Sequence, residues 1–313
     1  LKKLITASIS LTVKVVASDQ GTNNRGAYSQ LEVSAESPYF YFDSRKILVY
    51  VMYDVPHLIK SIRNSLLKRD IIVNGEAVSW KNITQVYHID ESSQISRSLL
   101  KITNSHINPD NFEKMKVRYA VQIFSKSVAN AMDTAISTRQ LTSNTAKNAA
   151  NFIRRINDVL DCLNSRRCFD GNPMRWGLSE KSIHVIGTIQ KAVPWIQSSK
   201  VGKNTPYCFQ GLIQSINVVL SLWMDTKDKY PILVTSKLNQ DPLENLCSQV
   251  LQRRGYDLKP SAQHFRLGLQ NTMSSSLIKG NENTTNCEND EDKEIDFFNN
   301  EGGEFASYCV NLN

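Results

Sequence analysis

The sequence predicts an α/β fold interrupted by a large, mainly α-helical insertion. Three observations carry this. Residues 1–70 read strand, helix, strand, helix. From Trp80 to about Leu222 the best segments have helical period and strand signals are sparse. Between Pro231 and Gln270 a short apolar run and two helix candidates resume.

The elements follow from local chemistry. Leu4 to Ser18 is β-rich, with Leu11, Val13 and Val15 in alternation. Thr22 is a plausible N-cap for a helix to about Leu31. Pro38 to Phe42 is a short aromatic strand candidate. "ILVYVMY", Ile47 to Tyr53, is a continuous apolar run of strand length, as in a strand buried on both faces. Asp54 closes it and Pro56 opens a helix in its first turn, whose apolar face is Leu58, Ile59, Ile62 and Leu66. Gly75 marks the change of period. Val117 to Ala135 and Ala149 to Leu163 then carry helical spacing. The expected divisions are 1–74 and 236–270 as two parts of one core, 75–235 as the insertion, and 271–313 as a disordered acidic tail.

Composition narrows the function classes. The chain has 313 residues and a net charge of +7. From Asn281 onward nine acidic residues face one basic residue, so that stretch carries −8 and residues 1–280 carry +15. A basic body suits a polyanion such as nucleic acid; it also describes an ordinary solvated surface. No run of about 18 apolar residues exists, so no membrane partner is expected. Six scattered cysteines form no CxxC pair, which reads as reduced thiols in a cytoplasmic or nuclear protein.

Three carboxylates stand out. Asp19 follows the first strand. Asp241 and Glu244 are three apart on a helix that Pro242 helps to start. Carboxylates on strand ends and a nearby helix can hold Mg²⁺ for phosphoryl transfer. Asp241 also suits a helix cap, and Glu244 suits the positive end of a helix dipole. Asp54, at the end of the second strand, reads as a cap for the helix it precedes, with a place near a metal as the alternative.

"DQGTNN", "YDVPHLIKSIRNSLL", "MKVRYAVQIFSKSV" and "LNQDPLENLCSQVLQRRG", in this order, resemble the P-element transposase family, which includes THAP-domain transposases. The resemblance covers about residues 5–270. It implies an RNase H-like catalytic core, interrupted by a guanine-nucleotide-binding insertion. It implies Asp19 as the second and Glu244 as the third member of a catalytic, Mg²⁺-binding triad. The first aspartate is then expected upstream of Leu1, and the chain is expected to be a fragment, incomplete at its N-terminus.

The resemblance also implies a nucleotide set. No GxxxxGK[ST] loop is present, so dispersed residues are expected to bind GTP. They are Lys101 and Lys116 for phosphates, the Val117 backbone, Ser125, and Asp161 with Asn164 for the base, with Asp241 added to the set. A carboxylate can accept both N1–H and N2–H of guanine. Leu160 stands where an aromatic commonly stacks on the base. Lys60, Arg63, Arg253 and Arg254 are candidates for DNA phosphates.

The function expected is therefore Mg²⁺-dependent DNA strand cleavage and transfer in the nucleus, with GTP as an assembly cofactor and with homo-oligomers built through upstream regions. This chain alone is expected to bind nucleotide without cutting DNA. The alternative is a non-catalytic DNA- or protein-binding remnant of a transposase.

Overall fold

A computed structural model describes residues 13–42, 46–93, 96–252, 255 and 260–276. The chain is mixed α/β and mostly helical, with two small sheets among the described residues. Contacts group it into two units, one reaching Asn239 and one starting at Gln240.

The first unit is built on a three-stranded sheet. Its strands are β1 (Val15–Ser18), β2 (Tyr39–Phe42) and β3 (Ile47–Tyr53), in the order β1-β3-β2. β1 runs parallel to β3, with Ser18 opposite Tyr53, and β2 runs antiparallel to β3. Val49 and Val51 are fully buried and Tyr50, Met52 and Tyr53 nearly so, as the unbroken apolar run predicts for a central strand.

Helix α1 (Thr22–Gln30) lies between β1 and β2 in the chain. Its N-cap is Gly21 and its first helical residue is Thr22, so the helix starts one position earlier than the expected Thr22 cap. Asp19 supplies the acceptor here: its Oδ1 takes the Gly21 N–H at 3.1 Å. Helix α2 (Val55–Lys68) follows β3 as predicted, and Leu58, Ile59, Ile62 and Leu66 are all buried.

Next comes a hairpin, β4 (Ile71–Val73) and β5 (Glu76–Val78). Asn74 and Gly75 have φ of 51° and 84°, the two positive values that a tight two-residue hairpin loop requires. The helical region continues with α3 (Trp80–Glu91), α4 (Asn104–Ile107), α5 (Val117–Ile123), α6 (Lys126–Ser137), α7 (Ala146–Leu163), α8 (Ile183–Gln197) and α9 (Tyr207–Thr226).

Helix α9 lies in the stretch expected to form the insertion, yet it packs on β3. β2 pairs with β3 only as far as Tyr50. Beyond it, α9 side chains meet the β3 backbone. Gln214 Nε2 donates to Val51 O at 2.9 Å, and Ser215 Oγ accepts from Tyr53 N at 3.0 Å and donates to Tyr53 O at 2.8 Å. Buried backbone groups need such partners. Gly211 permits the approach: a Cβ there would lie 2.5 Å from Gln20 Nε2 and 2.9 Å from Leu58 Cδ2.

The second unit contains α10 (Asp241–Gln252) and α11 (Ala262–Ser276), which pack together where Gly268 meets Val250. α11 runs a few residues into the stretch expected to be disordered tail. Arg253, Arg254 and the acidic run from Asn281 lie outside the described residues. Cys162, Cys168, Cys208 and Cys247 are free thiols. Burial pushes Cys162 up to about 12 and Cys208 up to about 11, so neither forms a thiolate at neutral pH. No helix among the described residues is long and apolar enough to cross a membrane.

Candidate active-site and nucleotide-binding residues

Parallel pairing of β1 and β3 brings two aspartates to one end of the sheet. Ser18 and Tyr53 are register partners, and Asp54 N donates to Ser18 O at 2.8 Å. Asp19 is exposed. Its Oδ1 accepts from Gly21 N and, at 2.6 Å, from Asn24 Nδ2. Its Oδ2 takes no donor among the described residues, so one carboxylate oxygen faces outward uncommitted. That fits an ion ligand whose orientation is set by the other oxygen.

Asp54 has the opposite setting. It is buried, and its Oδ2 caps α2 by accepting from His57 N at 2.9 Å. His57 Nδ1 lies 3.0 Å from the same oxygen. The cap reading of Asp54 holds.

Glu244 and Asp241 lie in the first turn of α10, where negative charge suits the helix dipole, and Glu244 N bonds to Gln240 O at 2.9 Å. They belong to the second unit and Asp19 to the first. Among the described residues no group of three or more His, Cys, Asp or Glu is clustered to hold a metal.

The nucleotide candidates spread over the helical region. Lys101 is exposed. Lys116 precedes α5 as its N-cap and Val117 is that helix's first residue. Lys116 Nζ sits 4.8 Å above the Tyr119 ring, which stacks at 4.1 Å on the buried His106. Burial holds His106 below its ordinary range; its Nε2 is 2.7 Å from Gln122 Oε1, and its Nδ1 accepts from Thr103 N at 3.1 Å.

Ser125 is the N-cap of α6. Its neighbour Lys126 pairs with Asp158 at 3.1 Å, one turn before Asp161 on α7. Ser125 and Asp161 therefore come to the same end of the α6–α7 pair.

Asp161 is 8% exposed, and both its oxygens are engaged. Oδ2 accepts from Asn157 Nδ2 at 3.0 Å and from Asn172 Nδ2 at 2.8 Å, and Oδ1 accepts from Arg175 Nε at 3.0 Å. Asn172 and Arg175 were not singled out in the sequence. The Asn-Pro pair that starts their turn was a local signal, but nothing local points it at Asp161. Asn164 ends α7 and its Oδ1 accepts from Asn239 Nδ2 at 3.2 Å. Leu160 is a core residue.

The DNA candidates divide. Lys60 is partly exposed on α2. Arg63 is fully buried, which corrects its assignment to a DNA phosphate. Its Nε donates to Asn64 Oδ1 at 2.8 Å and its Nη2 to Lys114 O at 2.9 Å, which Asn64 Nδ2 also reaches. The turn Glu113–Met115 covers this side of α2, so helical spacing alone misassigned an inward residue. Burial lowers Arg63 to about 10.

Likeness to known proteins gives these residues a setting. Residues 56–175 match a family model described as the TNP-like, GTP-binding insertion domain. The chain is 27% identical over 287 residues to the Transposable element P transposase of Drosophila melanogaster, covering 88% of this chain and 37% of that protein. It is 30% identical over 119 residues to the DNA transposase THAP9 of Homo sapiens, covering 37% of this chain and 13% of that one. The chain thus spans well under half the length of either relative. Its fold matches a chain of the Drosophila P element transposase strand transfer complex with a TM-score of 0.74, at 24% identity, over 85% of this chain and 61% of the other. Over most of its length the chain is thus similar to P-element transposases, and residues 56–175 match a GTP-binding insertion domain.

Proposed function

We propose that this chain is part of a DNA transposase with an RNase H-like core, in which Asp19 and Glu244 serve Mg²⁺-dependent strand cleavage and transfer and residues of the insertion bind GTP as an assembly cofactor. The likeness to P transposase across 88% of the chain, with a GTP-binding insertion domain inside it, is the observation that carries this reading. A nuclear location goes with the DNA substrate.

Asp19 suits the metal role because Gly21 and Asn24 fix one oxygen and leave the other uncommitted among the described residues. Mg²⁺, when bound, would activate a water or 3′-hydroxyl and stabilise the leaving oxygen. Glu244, in the first turn of α10, is proposed for the same chemistry on the family likeness alone.

Asp161 would meet the guanine base. Guanine brings two N–H donors, and Asp161 already holds the donors of Asn172 and Arg175. Base binding here is then an exchange of one donor set for another, which keeps the buried carboxylate satisfied throughout. Arg175, whose side chain is 54% exposed, can swing away at small cost. Lys116 and Lys101 would meet phosphates as point charges, Val117 through its backbone and Ser125 through its hydroxyl. Asn164 would add a hydrogen bond to base or sugar.

Calorimetry tests the reading. The chain should bind GTP more tightly than ATP, and Asp161→Ala should lose that preference. GTP binding unchanged in Asp161→Ala would remove the base-reading role. Absence of both GTP and DNA binding would leave the protein-binding remnant as the better account.

A further inference from the structure

The end of the sheet that carries Asp19 also carries an arginine with no hydrogen-bond or ion-pair partner among the described residues. Arg25 is the fourth residue of α1. Its guanidinium carbon lies 4.2 Å from the centroid of the Tyr207 ring, at the first residue of α9. Its Nε is enclosed and has no hydrogen-bond partner, and no hydrogen bond or ion pair holds its other nitrogens among the described residues. A cation near the positive end of a helix is disfavoured by the dipole, and α1 has no acidic residue in its first turn to offset it. The placement asks for an anion from outside.

The stack is itself anchored. Gln20 Nε2, next to Asp19, donates to Tyr207 O at 2.7 Å. Gly211, one turn further along α9, lets the helix close over Gln20 and Tyr53. Tyr207 is 64% exposed, so the stack lies at the surface. A guanidinium lying on a ring keeps its N–H donors in its own plane, where they match two oxygens of one phosphate. Stacking also removes much of the rotamer freedom that a free arginine would lose on binding.

We infer that Arg25, seated on Tyr207, is a phosphate clamp for the DNA strand brought to Asp19. The ligand chemistry is a phosphodiester. Arg25 lies outside residues 56–175, the GTP-binding insertion, and directly follows Asn24, which holds the Asp19 carboxylate. Both facts favour the DNA backbone over a nucleotide phosphate. The clamp rests on the DNA-processing reading above and adds a positioning residue to it.

The test is fluorescence anisotropy of a labelled DNA duplex with the whole chain over a salt series, alongside calorimetry with GTP. Arg25→Ala should weaken DNA binding by about tenfold and lower the slope of log affinity against log salt by about one phosphate. Tyr207→Ala, with charge unchanged, should weaken it several-fold, and Tyr207→Phe should leave it intact. GTP binding and melting temperature should hold in all three, since the Arg25 donors secure nothing in the fold. Unchanged DNA affinity and salt slope in Arg25→Ala, with the unsubstituted chain binding DNA, would overturn the clamp alone. Loss of GTP binding with DNA binding retained would overturn it in favour of a nucleotide phosphate. No DNA binding by the unsubstituted chain would overturn both the clamp and the DNA reading beneath it.

Discussion

Asp19 and Asp54 stand at the same end of two adjacent parallel strands, and they meet different fates. Each follows an apolar run and precedes a helix. Asp54 is sealed by α2 and spends its oxygen on the cap and on His57. Asp19 is followed by Gln20 and Gly21 rather than directly by a helix, so its carboxylate stays at the surface with one oxygen held. Two intervening residues separate a structural carboxylate from one available to a ligand. A strand end by itself therefore says little about chemistry; the distance to the next helix start says more.

The sharpest way to break this contrast is metal titration. Mn²⁺, standing in for Mg²⁺, should broaden the amide resonances of Gly21 and Asn24. Asp19→Ala should abolish the effect while leaving the melting temperature unchanged, and Asp54→Asn should retain it. Equal broadening in Asp19→Ala would end the assignment of Asp19 as a ligand.

Second in size is an effect on stability. Gly211→Val forces a side chain into the space between Gln20, Leu58 and Tyr53, where even a Cβ would lie 2.5 Å from Gln20 Nε2. Overpacking of this kind costs about 1–3 kcal/mol, measurable by urea unfolding. A neutral result would show that α9 does not seal this end of the sheet.

The cap itself comes third. Asp54→Ala should lose about 1–2 kcal/mol, and Asp54→Asn, which keeps an acceptor, only a few tenths. Equal losses in both would mean that the charge facing His57, and not the cap, is what matters.

The smallest expected effect is a pH dependence. Burial raises the phenols of Tyr28, Tyr50 and Tyr53, with the Tyr50 hydrogen bond to Asp225 adding to the burial effect there. The folded chain holds these protons more tightly than the unfolded chain. Their contribution to stability is complete below about pH 10 and declines as pH rises beyond it. Melting curves taken on the alkaline side should show the decline, and Tyr50→Phe should flatten part of it. An identical slope in Tyr50→Phe would place the titration elsewhere.

Local elements near the sheet were legible because near neighbours decide them. The run Ile47 to Tyr53, the Asp54 cap, Pro56 and the apolar face of α2 all obey short-range rules, and all appear as read. The Asn74-Gly75 hairpin obeys such a rule too: Gly75 marks the boundary in the sequence, and with Asn74 it forms the turn. The four ordered motifs carried the family. The candidate site was less legible. Asn172 and Arg175 reach Asp161 from 11 and 14 residues away, and Tyr207 reaches Arg25 across the whole helical region.

By itself the sequence determined which segments are strands and helices around Asp19 and Asp54, and which family the chain resembles, because spacing, caps and motifs act over a few residues. Only the tertiary structure decided that Arg63 turns inward, that α9 returns to finish the β3 backbone, that Asp161 is already filled, and that Arg25 is left open on Tyr207. These depend on which surfaces meet. Burial and polar satisfaction are settled between residues far apart in the chain, where no local pattern reaches.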